Sequence, residues 1–497
     1  MFSRSFAMNA YDQLSQRFDK ISQLQGAQAV LHWDMQTQMP RGGAEARGGQ
    51  LGALETLGHD LMTDPRVADW LDTAEANPPE NLWERANLRE MRRQWRHANA
   101  VESRLVEALA VAGTRCGQVW QTARPVNDFK SYEPSQAEVF ALVREIAAQK
   151  AAAFGCSPYD ALIDQFEPGM GAARIDEVFA PLRARIPTLI DEVLGRTSPL
   201  GPQTGGIFPI ERQKALGLRV MTAMGFDFDR GRLDISSHPF CGGVPDDVRM
   251  TTRYRSDSWL PAFQGIVHET GHGLYEQGLP AKWRHQPVGE ARSMGVHESQ
   301  SLFWEMQVAR SKPFLQWLRP HVATELGVEA TVEDLYRRAT AVKRGLIRVD
   351  ADEVTYPAHV LMRFELEQKL VAGELRVADL PEAWREGMTR YLGVAPDTDR
   401  DGCMQDIHWT DGAVGYFPSY TLGAMIAAQL ASAMRDSDFD LDGHAARGDL
   451  EPVRAWLLEK IHAQASVVET DDLIVAATGR PLSAATYLAH LEARYLG

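Results

Sequence analysis

The chain has 497 residues, 44% hydrophobic and 24% charged, with a formal net charge of −15. This is the profile of a globular, enzyme-sized protein, and its acidic balance disfavours sequence-independent binding to nucleic acid or to an anionic membrane. Cys116, Cys156, Cys241 and Cys403 lie far apart with no CxxC spacing, which argues against a disulfide framework and against a cysteine-based zinc site.

The opening segment, MFSRSFAMNAYDQL, has no apolar core and no cleavage site, so no export signal is expected and the expected setting is cytoplasmic. Leu14, Phe18, Ile21 and Leu24 recur at helical spacing and mark a first helix. Trp33 and Asp34 follow, expected to fix the first helical pair. Cys116 falls in step with Leu105, Leu109, Ala112 and Val119, which predicts a core position. Val139, Phe140, Val143 and Ile146 mark a further helix after a start signal at Pro134-Ser135. No repeat or low-complexity linker divides the chain, which predicts a single domain over residues 1–497. Its N-terminal helices, about residues 8–150, are expected to form part of a cleft wall.

Residues 230–255 break the helical pattern. Val248, Met250, Thr252 and Tyr254 alternate with polar neighbours, RLDISS reads as a second strand, and CGGVPDD offers turn chemistry between them. A small antiparallel sheet is therefore expected immediately before the stretch IVHETGHGL. Helical patterns return over Leu361–Val371 and Leu422–Met434. The run from Gly412 to Met434 carries no charge, but Pro418, Ser419, Tyr420, Thr421, Gln429 and Ser432 make it a buried helix rather than a membrane span.

His268 and His272 are four apart, so on a helix both project from one face and can converge on a cation. Glu269, next to the first histidine, is placed to take a proton from the attacking water and return it to the leaving amine. Chance alone would place HExxH about 0.02–0.03 times in such a chain, so the motif is informative yet needs context. Phe263, Ile266, Val267 and Leu274 give that helix an apolar face, and Gly271 within it suggests close packing. A third histidine in the pattern HExxHxxGxxH is ruled out by Tyr275 and Gly278. Downstream, VHESQSLFWEMQVARS starts a new helix carrying His297 and Glu298. A carboxylate on such a returning helix completes a set of two histidines and one glutamate. Glu298 is the choice on its position, with Glu290, Glu276 and Glu305 as competitors.

Six ordered motifs carry a resemblance: His238–Phe240 (HPF), Asp247–Thr251 (DxRxT), His268–His272, His297–Gln300 (HESQ), Ile347–Asp352 (IRxxAD) and Gly402–Trp409 (GxxQDxHW). Softer similarities lie at Leu31–Gly48, Pro158–Met170 and Gly415–Gly423. Together they resemble the carboxypeptidase Taq family of zinc metallocarboxypeptidases, over essentially the whole chain from about Met8. The resemblance implies His268, His272 and Glu298 as metal ligands and Glu269 as general base. It also implies a mainly α, zincin-like helical peptidase with a deep central cleft, a homodimer, broad specificity in removing C-terminal residues, and Co²⁺ as a possible substitute for Zn²⁺.

Other residues are read for substrate handling. Arg348 and Arg249 each offer a planar fork for a substrate carboxylate, against the alternative of a salt bridge to Asp247, Asp350 or Asp352. Tyr420, Tyr416 and His408 can supply a donor to a developing oxyanion, against the alternative of buried aromatics with satisfied polar tips. His238 contacts substrate or orients its strand. The expected activity is a zinc carboxypeptidase acting on peptides. The alternatives are an endo-acting oligopeptidase on the same scaffold and a catalytically silent peptide-binding scaffold.

Overall fold

The computed structural model describes residues 8–196, 200 and 206–497; the first seven residues of the opening segment lie outside the described residues. Helix α1 (Ala10–Thr37) starts where the Asn9 side chain accepts the Asp12 N–H at 2.8 Å. Helices α2 (Ala44–Thr63), α3 (Pro65–Ala76) and α4 (Leu82–Asn99) fold back against it. Leu14, Phe18 and Ile21 pack with Val67, Leu71 and Met91 into a core separate from the rest of the protein. Arg47 donates to Asp34 at 2.6 Å and pins α2 to α1, while Trp33 is buried. Asp34 thus fixes the first helical pair, as expected, whereas the Trp33 ring lies under Arg232 and Arg249.

Helices α5 (Ser103–Ala123), α6 (Phe129–Phe154), α7 (Pro158–Ile163), α8 (Ala172–Arg196) and α9 (Ile210–Met224) begin the body. Its much larger core runs from Ala112 to Leu491 and contains Cys116, fully buried. The N-terminal unit with its own core thus ends after α4, and α5 and α6 belong to the body. Helix α6 also starts earlier than its proline suggests. Asp128 accepts the Ser131 N–H and caps the first turn, so Pro134 lies inside the helix and forfeits a single backbone bond. The seam between lobe and body mixes polar and apolar contacts: Asn87 donates to Gln286 at 2.9 Å, Arg292 to Glu90 at 2.8 Å, His97 meets Asp164 at 2.8 Å, and Ala86 packs with Val288 and Val467.

The sheet has three strands, β1 (Gly231–Ile235), β2 (Phe240–Val244) and β3 (Asp247–Thr252), in the order β1-β3-β2. The β2–β3 hairpin is antiparallel, but β1 pairs with β3 in parallel, Leu233 opposite Met250. The sheet is therefore mixed. Cys241–Val244, read above as part of the turn, belongs to strand β2, which takes the far edge of β3 and leaves the near edge to β1.

Helix α10 (Leu260–Gly278) crosses β3, and Gly273 permits this, since a Cβ there would lie 2.9 Å from Met250 Sδ. Helix α11 (Met294–Leu302) runs into a π-helical turn over Phe303–Ala309. Then come α12 (Lys312–Leu326), α13 (Val332–Ala339), α14 (Tyr356–Ala372), α15 (Leu380–Leu392) and α16 (Pro418–Arg435). Helices α17 (Leu441–Arg447), α18 (Glu451–Lys460), α19 (Thr470–Thr478) and α20 (Ala484–Tyr495) close the chain. Helix α16 is buried almost all round, which accounts for its uncharged sequence. Its Gln429 amide is satisfied by the carbonyls of Arg480 and Pro481. Among the described residues no helix is long and apolar enough to cross a membrane.

Separate cores predict separate local stabilities. Leu71→Ala, at a fully buried position of the small core, should cost about 2–5 kcal/mol and speed amide exchange in α1–α4 while leaving α10, α11 and α16 protected. Equal loss of protection throughout would mean that lobe and body open as one unit.

Candidate metal centre

His268 and His272 project from one face of α10, and α11 brings Glu298 between them. Glu298 Oε2 lies 3.3 Å from His272 Nε2 and 3.8 Å from His268 Nε2. All three ligand atoms fall within 4.8 Å of one another. Donors at about 2.0–2.1 Å around a tetrahedral Zn²⁺ are separated by about 3.3–3.5 Å, so the set fits a divalent cation with little adjustment.

Two glycines make this approach possible. A Cβ on Gly271 would lie 2.5 Å from the Gln300 carbonyl oxygen and 2.6 Å from Ser301 Cα, so α10 and α11 touch backbone to backbone. On the other side of α11, a Cβ on Gly423 of α16 would come within 2.7 Å of Glu298 Cβ. Glu298 is held from both sides. The α11 N-terminus is capped by Ser293, which accepts the Val296 N–H at 3.1 Å, and by buried Glu167, which accepts the Gly295 N–H at 2.5 Å.

Neighbouring groups orient each histidine. Glu305 Oε2 bonds His268 Nδ1 at 2.9 Å and is itself paired with Arg310 at 2.5 Å. His272 Nδ1 meets His297 Nδ1 at 2.7 Å, and His297 Nε2 meets Glu276 at 2.8 Å. Glu276 can only accept, so the network assigns a proton to His297 Nε2 and another to His272 Nδ1, which leaves the His272 Nε2 lone pair free. Glu276 and Glu305, competitors for the third ligand position in the sequence, are thus carboxylate supports. Glu290 instead accepts from Gln94 of α4 at 3.1 Å.

Burial lowers the basicity of His268, but Glu298, Glu305 and Glu269 outweigh it and lift the ring to about 10. The same field attracts a cation. Burial pushes His272 down to about 4, which keeps it neutral and able to ligate. Glu269 is 7% exposed; burial raises it to about 7, with His268 opposing and Glu298 adding to the rise. A carboxyl near neutrality suits a base that must both take and give a proton.

A second cluster lies beside Glu298. His408 Nε2 is 3.2 Å from the Tyr420 hydroxyl, and Tyr416 and Tyr420 meet edge to face at 5.1 Å. Arg348 is buried beneath them, its guanidinium 4.9 Å from the Tyr420 ring centroid and donating to the Tyr356 hydroxyl at 2.9 Å. Its carboxylate partner is Asp406 at 3.0 Å, which also accepts from Arg363 at 2.7 Å. The salt bridge weighed as the alternative for Arg348 is thus made to Asp406 rather than to Asp350 or Asp352, since the Asp352 carboxylate accepts the backbone N–H groups of Lys343, Val354 and Thr355. Two guanidiniums share one carboxylate, leaving an excess positive charge under the tyrosines. Burial, then Arg348, pushes His408 down to about 4, so it is neutral.

Arg249 does not join this cluster. It is bidentate to Asp247 at 2.5 and 2.7 Å and lies 4.4 Å over Trp33, pinning α1 to the sheet. His238 is exposed on the loop before β2, and its carbonyl accepts from Ser236 at 2.6 Å. Sequence reasoning missed Tyr356, Asp406 and Glu367. Buried Glu367 gathers Tyr159, Trp409 and the Gly415 N–H at 2.7, 2.7 and 3.0 Å, tying three motif segments together.

Two histidines and a glutamate around one point, with a buried glutamate beside the first histidine and a largely helical frame, define a metallopeptidase. Comparison with known proteins agrees. The profile of the carboxypeptidase Taq (M32) metallopeptidases matches residues 13–495. Thermostable carboxypeptidase 1 of Thermus thermophilus is 41% identical over 98% of this chain and 98% of its own, and carboxypeptidase 1 of Bacillus subtilis is 33% identical over 96% of each. Metallocarboxypeptidase 1 of Trypanosoma cruzi superposes with a TM-score of 0.95 at 41% identity, covering 98% of this chain and 99% of that one. This chain belongs to the carboxypeptidase Taq (M32) family, and it is a metallocarboxypeptidase, an exopeptidase hydrolase.

Gly271→Ala should force α11 away from α10, costing about 1–3 kcal/mol and lowering bound metal per chain. Thermal unfolding with metal analysis tests this; an unchanged metal content would show that the helices can separate without moving Glu298. Asp406 is buried, but Arg363 and Arg348 hold it well below the usual carboxylate range. A lowered folded pKa gives stability that is present above about pH 4 and lost as pH falls toward the folded value. Asp406→Asn should therefore lose about 3–5 kcal/mol at pH 7, and denaturant midpoints of wild type and variant should converge on acidification. A constant gap between them would contradict the charged assignment.

Proposed function

We propose that the protein is a zinc-dependent carboxypeptidase of broad specificity that shortens peptides from their C-termini. The observation that carries this reading is the convergence of His268, His272 and Glu298 beside Glu269, with buried Arg348 lying under the ring of Tyr420. When bound, the cation supplies polarisation of the scissile carbonyl and of the attacking water. Glu269 takes the water's proton and delivers it to the leaving amine. Burial keeps Tyr420 protonated well into the alkaline range. His408 Nε2–H donates to its oxygen and turns the phenol proton toward the carbonyl oxygen as negative charge develops there. Tyr416, edge-on to Tyr420, fixes the ring. Zinc suits two imidazoles and a carboxylate in a nearly tetrahedral set, and Co²⁺ accepts the same donors.

HExxH chemistry attacks any peptide bond presented to it, so exopeptidase action needs a receptor for the terminal carboxylate. In a chain of net charge −15 the attraction has to be local. The excess charge from Arg348 and Arg363 over Asp406 provides it, delivered through the Tyr356 hydroxyl that Arg348 polarises. Arg249, spent on Asp247, serves the scaffold, and exposed His238 lies at the edge of the sheet, free to touch substrate. The family reading also carries a homodimer and a cytoplasmic setting, which sedimentation and fractionation test directly.

Glu269→Gln should retain the cation and lose activity, because an amide cannot accept the water's proton. Glu298→Ala should instead reduce metal per chain. Near-normal turnover in a fully loaded Glu269→Gln protein would remove the base from its role. C-terminally amidated peptides should be poor substrates compared with free acids. Arg348→Ala should weaken cleavage of free acids by about 2–5 kcal/mol, the scale for a truncated buried charge pair, with metal content unchanged. Equal cleavage of both peptide types by wild type would favour the endo-acting alternative.

A further inference from the structure

The seam between the N-terminal lobe and the body holds a cavity of about 580 Å³ that takes no part in the chemistry above. In a chain of net charge −15, six arginines line it: Arg85, Arg89, Arg92, Arg93 and Arg96 from α4, and Arg292 from the body. Positions 85, 89, 92 and 96 follow helical spacing, so they form one stripe about 16 Å long, with Arg93 flanking it. Gln94, which reaches Glu290, lies on the opposite side of the helix. The stripe therefore faces away from that contact.

Four carboxylates line the same cavity, and each is already engaged. Glu75 takes Arg92, which also meets Asp72 outside the cavity. Buried Glu90 takes Arg89, Arg93 and Arg292, and Glu469 takes Arg89 and Arg292. Asp164 is held by His97. Arg85 and Arg96 have no carboxylate partner among the described residues. Arg85 donates to the carbonyls of Pro79 and Glu80, and Arg96 donates to the Ala153 carbonyl at 3.1 Å while lying 4.8 Å over Phe154. Two guanidiniums at opposite ends of the stripe thus bring uncompensated charge to a cavity of small-ligand size.

We propose that this cavity binds a multivalent oxyanion of the oligophosphate class, laid along α4. Planar guanidinium forks match tetrahedral phosphate oxygens bidentately. A stripe of this length presents donors to several linked phosphate groups, where a single small anion would engage one end. Leu88, Pro78 and Pro168 add apolar wall, so the ligand is either a free oligophosphate or the phosphate tail of a nucleotide. Because α4 belongs to the lobe while Arg292, Asp164 and Glu469 belong to the body, the bound anion bridges the two.

The test is calorimetric titration of the full-length, metal-loaded protein with inorganic triphosphate and, separately, with adenosine triphosphate, at about 0.15 M salt. Both ligands also sequester cations, so wild type and Arg85→Gln/Arg96→Gln are titrated side by side and analysed for metal afterwards. The expected result is saturable one-site binding to wild type, weakened about tenfold or more in the double variant. Tighter binding of the nucleotide identifies the base as part of the ligand, and equal affinities identify the free oligophosphate. Both side chains are exposed, and apart from the stacking of Arg96 on Phe154 they lean on carbonyls, so the fold is retained, which thermal unfolding checks; Arg96→Gln alone is the fallback. No saturable binding, or equal affinity in wild type and variant, overturns the proposal.

Discussion

The site depends on one close approach, that of α10 and α11 at Gly271. Two histidines on a helix face are common; what turns them into a cation site is a carboxylate delivered between them from another helix. Any side chain at position 271 would strike the backbone of Gln300 and Ser301, so the distance from Glu298 to the histidines is set by main-chain contact rather than by flexible side chains. Gly423 repeats the arrangement from α16. Backbone contacts of this kind have little give, which suits ligands that must hold their geometry before the cation arrives.

Around this contact, buried charge is arranged in short chains that end in a carboxylate or a guanidinium. Arg310 and Glu305 support His268; Glu276 and His297 support His272; Asp406 holds Arg348 and Arg363. The first two chains orient the histidines that face Glu298. The third leaves positive charge on the far side of the tyrosines. Carboxylates therefore gather around the two histidines and positive charge gathers beneath the tyrosines, a matter of local placement that the acidic net charge of the chain conceals.

Much of this was legible in the sequence, and the boundary of legibility is physical. Helical spacing of Leu14, Phe18 and Ile21 marked a real buried face, and the uncharged run ending at Met434 marked a real buried helix. His268, His272 and Glu269 came from local spacing. Glu298 needed the motif as well, since its place between the histidines is tertiary. The supports were invisible for the same reason: Asp406 meets Arg348 and Arg363 across about 40–60 residues of chain, and Glu367 meets Tyr159 across 208. Glu276, one turn beyond His272, and Glu305, seven residues beyond Glu298, carried a local signal, and both read as rival ligands. The parallel partnership of β1 and β3 was hidden too, because alternation names a strand without naming its neighbour.

The order of these parts along the chain has a consequence for how the enzyme is made. The small core of α1–α4 is complete within the first hundred residues, so it can assemble while the rest is still being synthesised. His268, His272 and Glu298 are all translated by residue 298, yet Glu298 is enclosed only when α16 arrives, and α16 is held through Gln429 to the segment around Arg480 and Pro481. The enclosure of Glu298 therefore waits on segments made long after Glu298 itself.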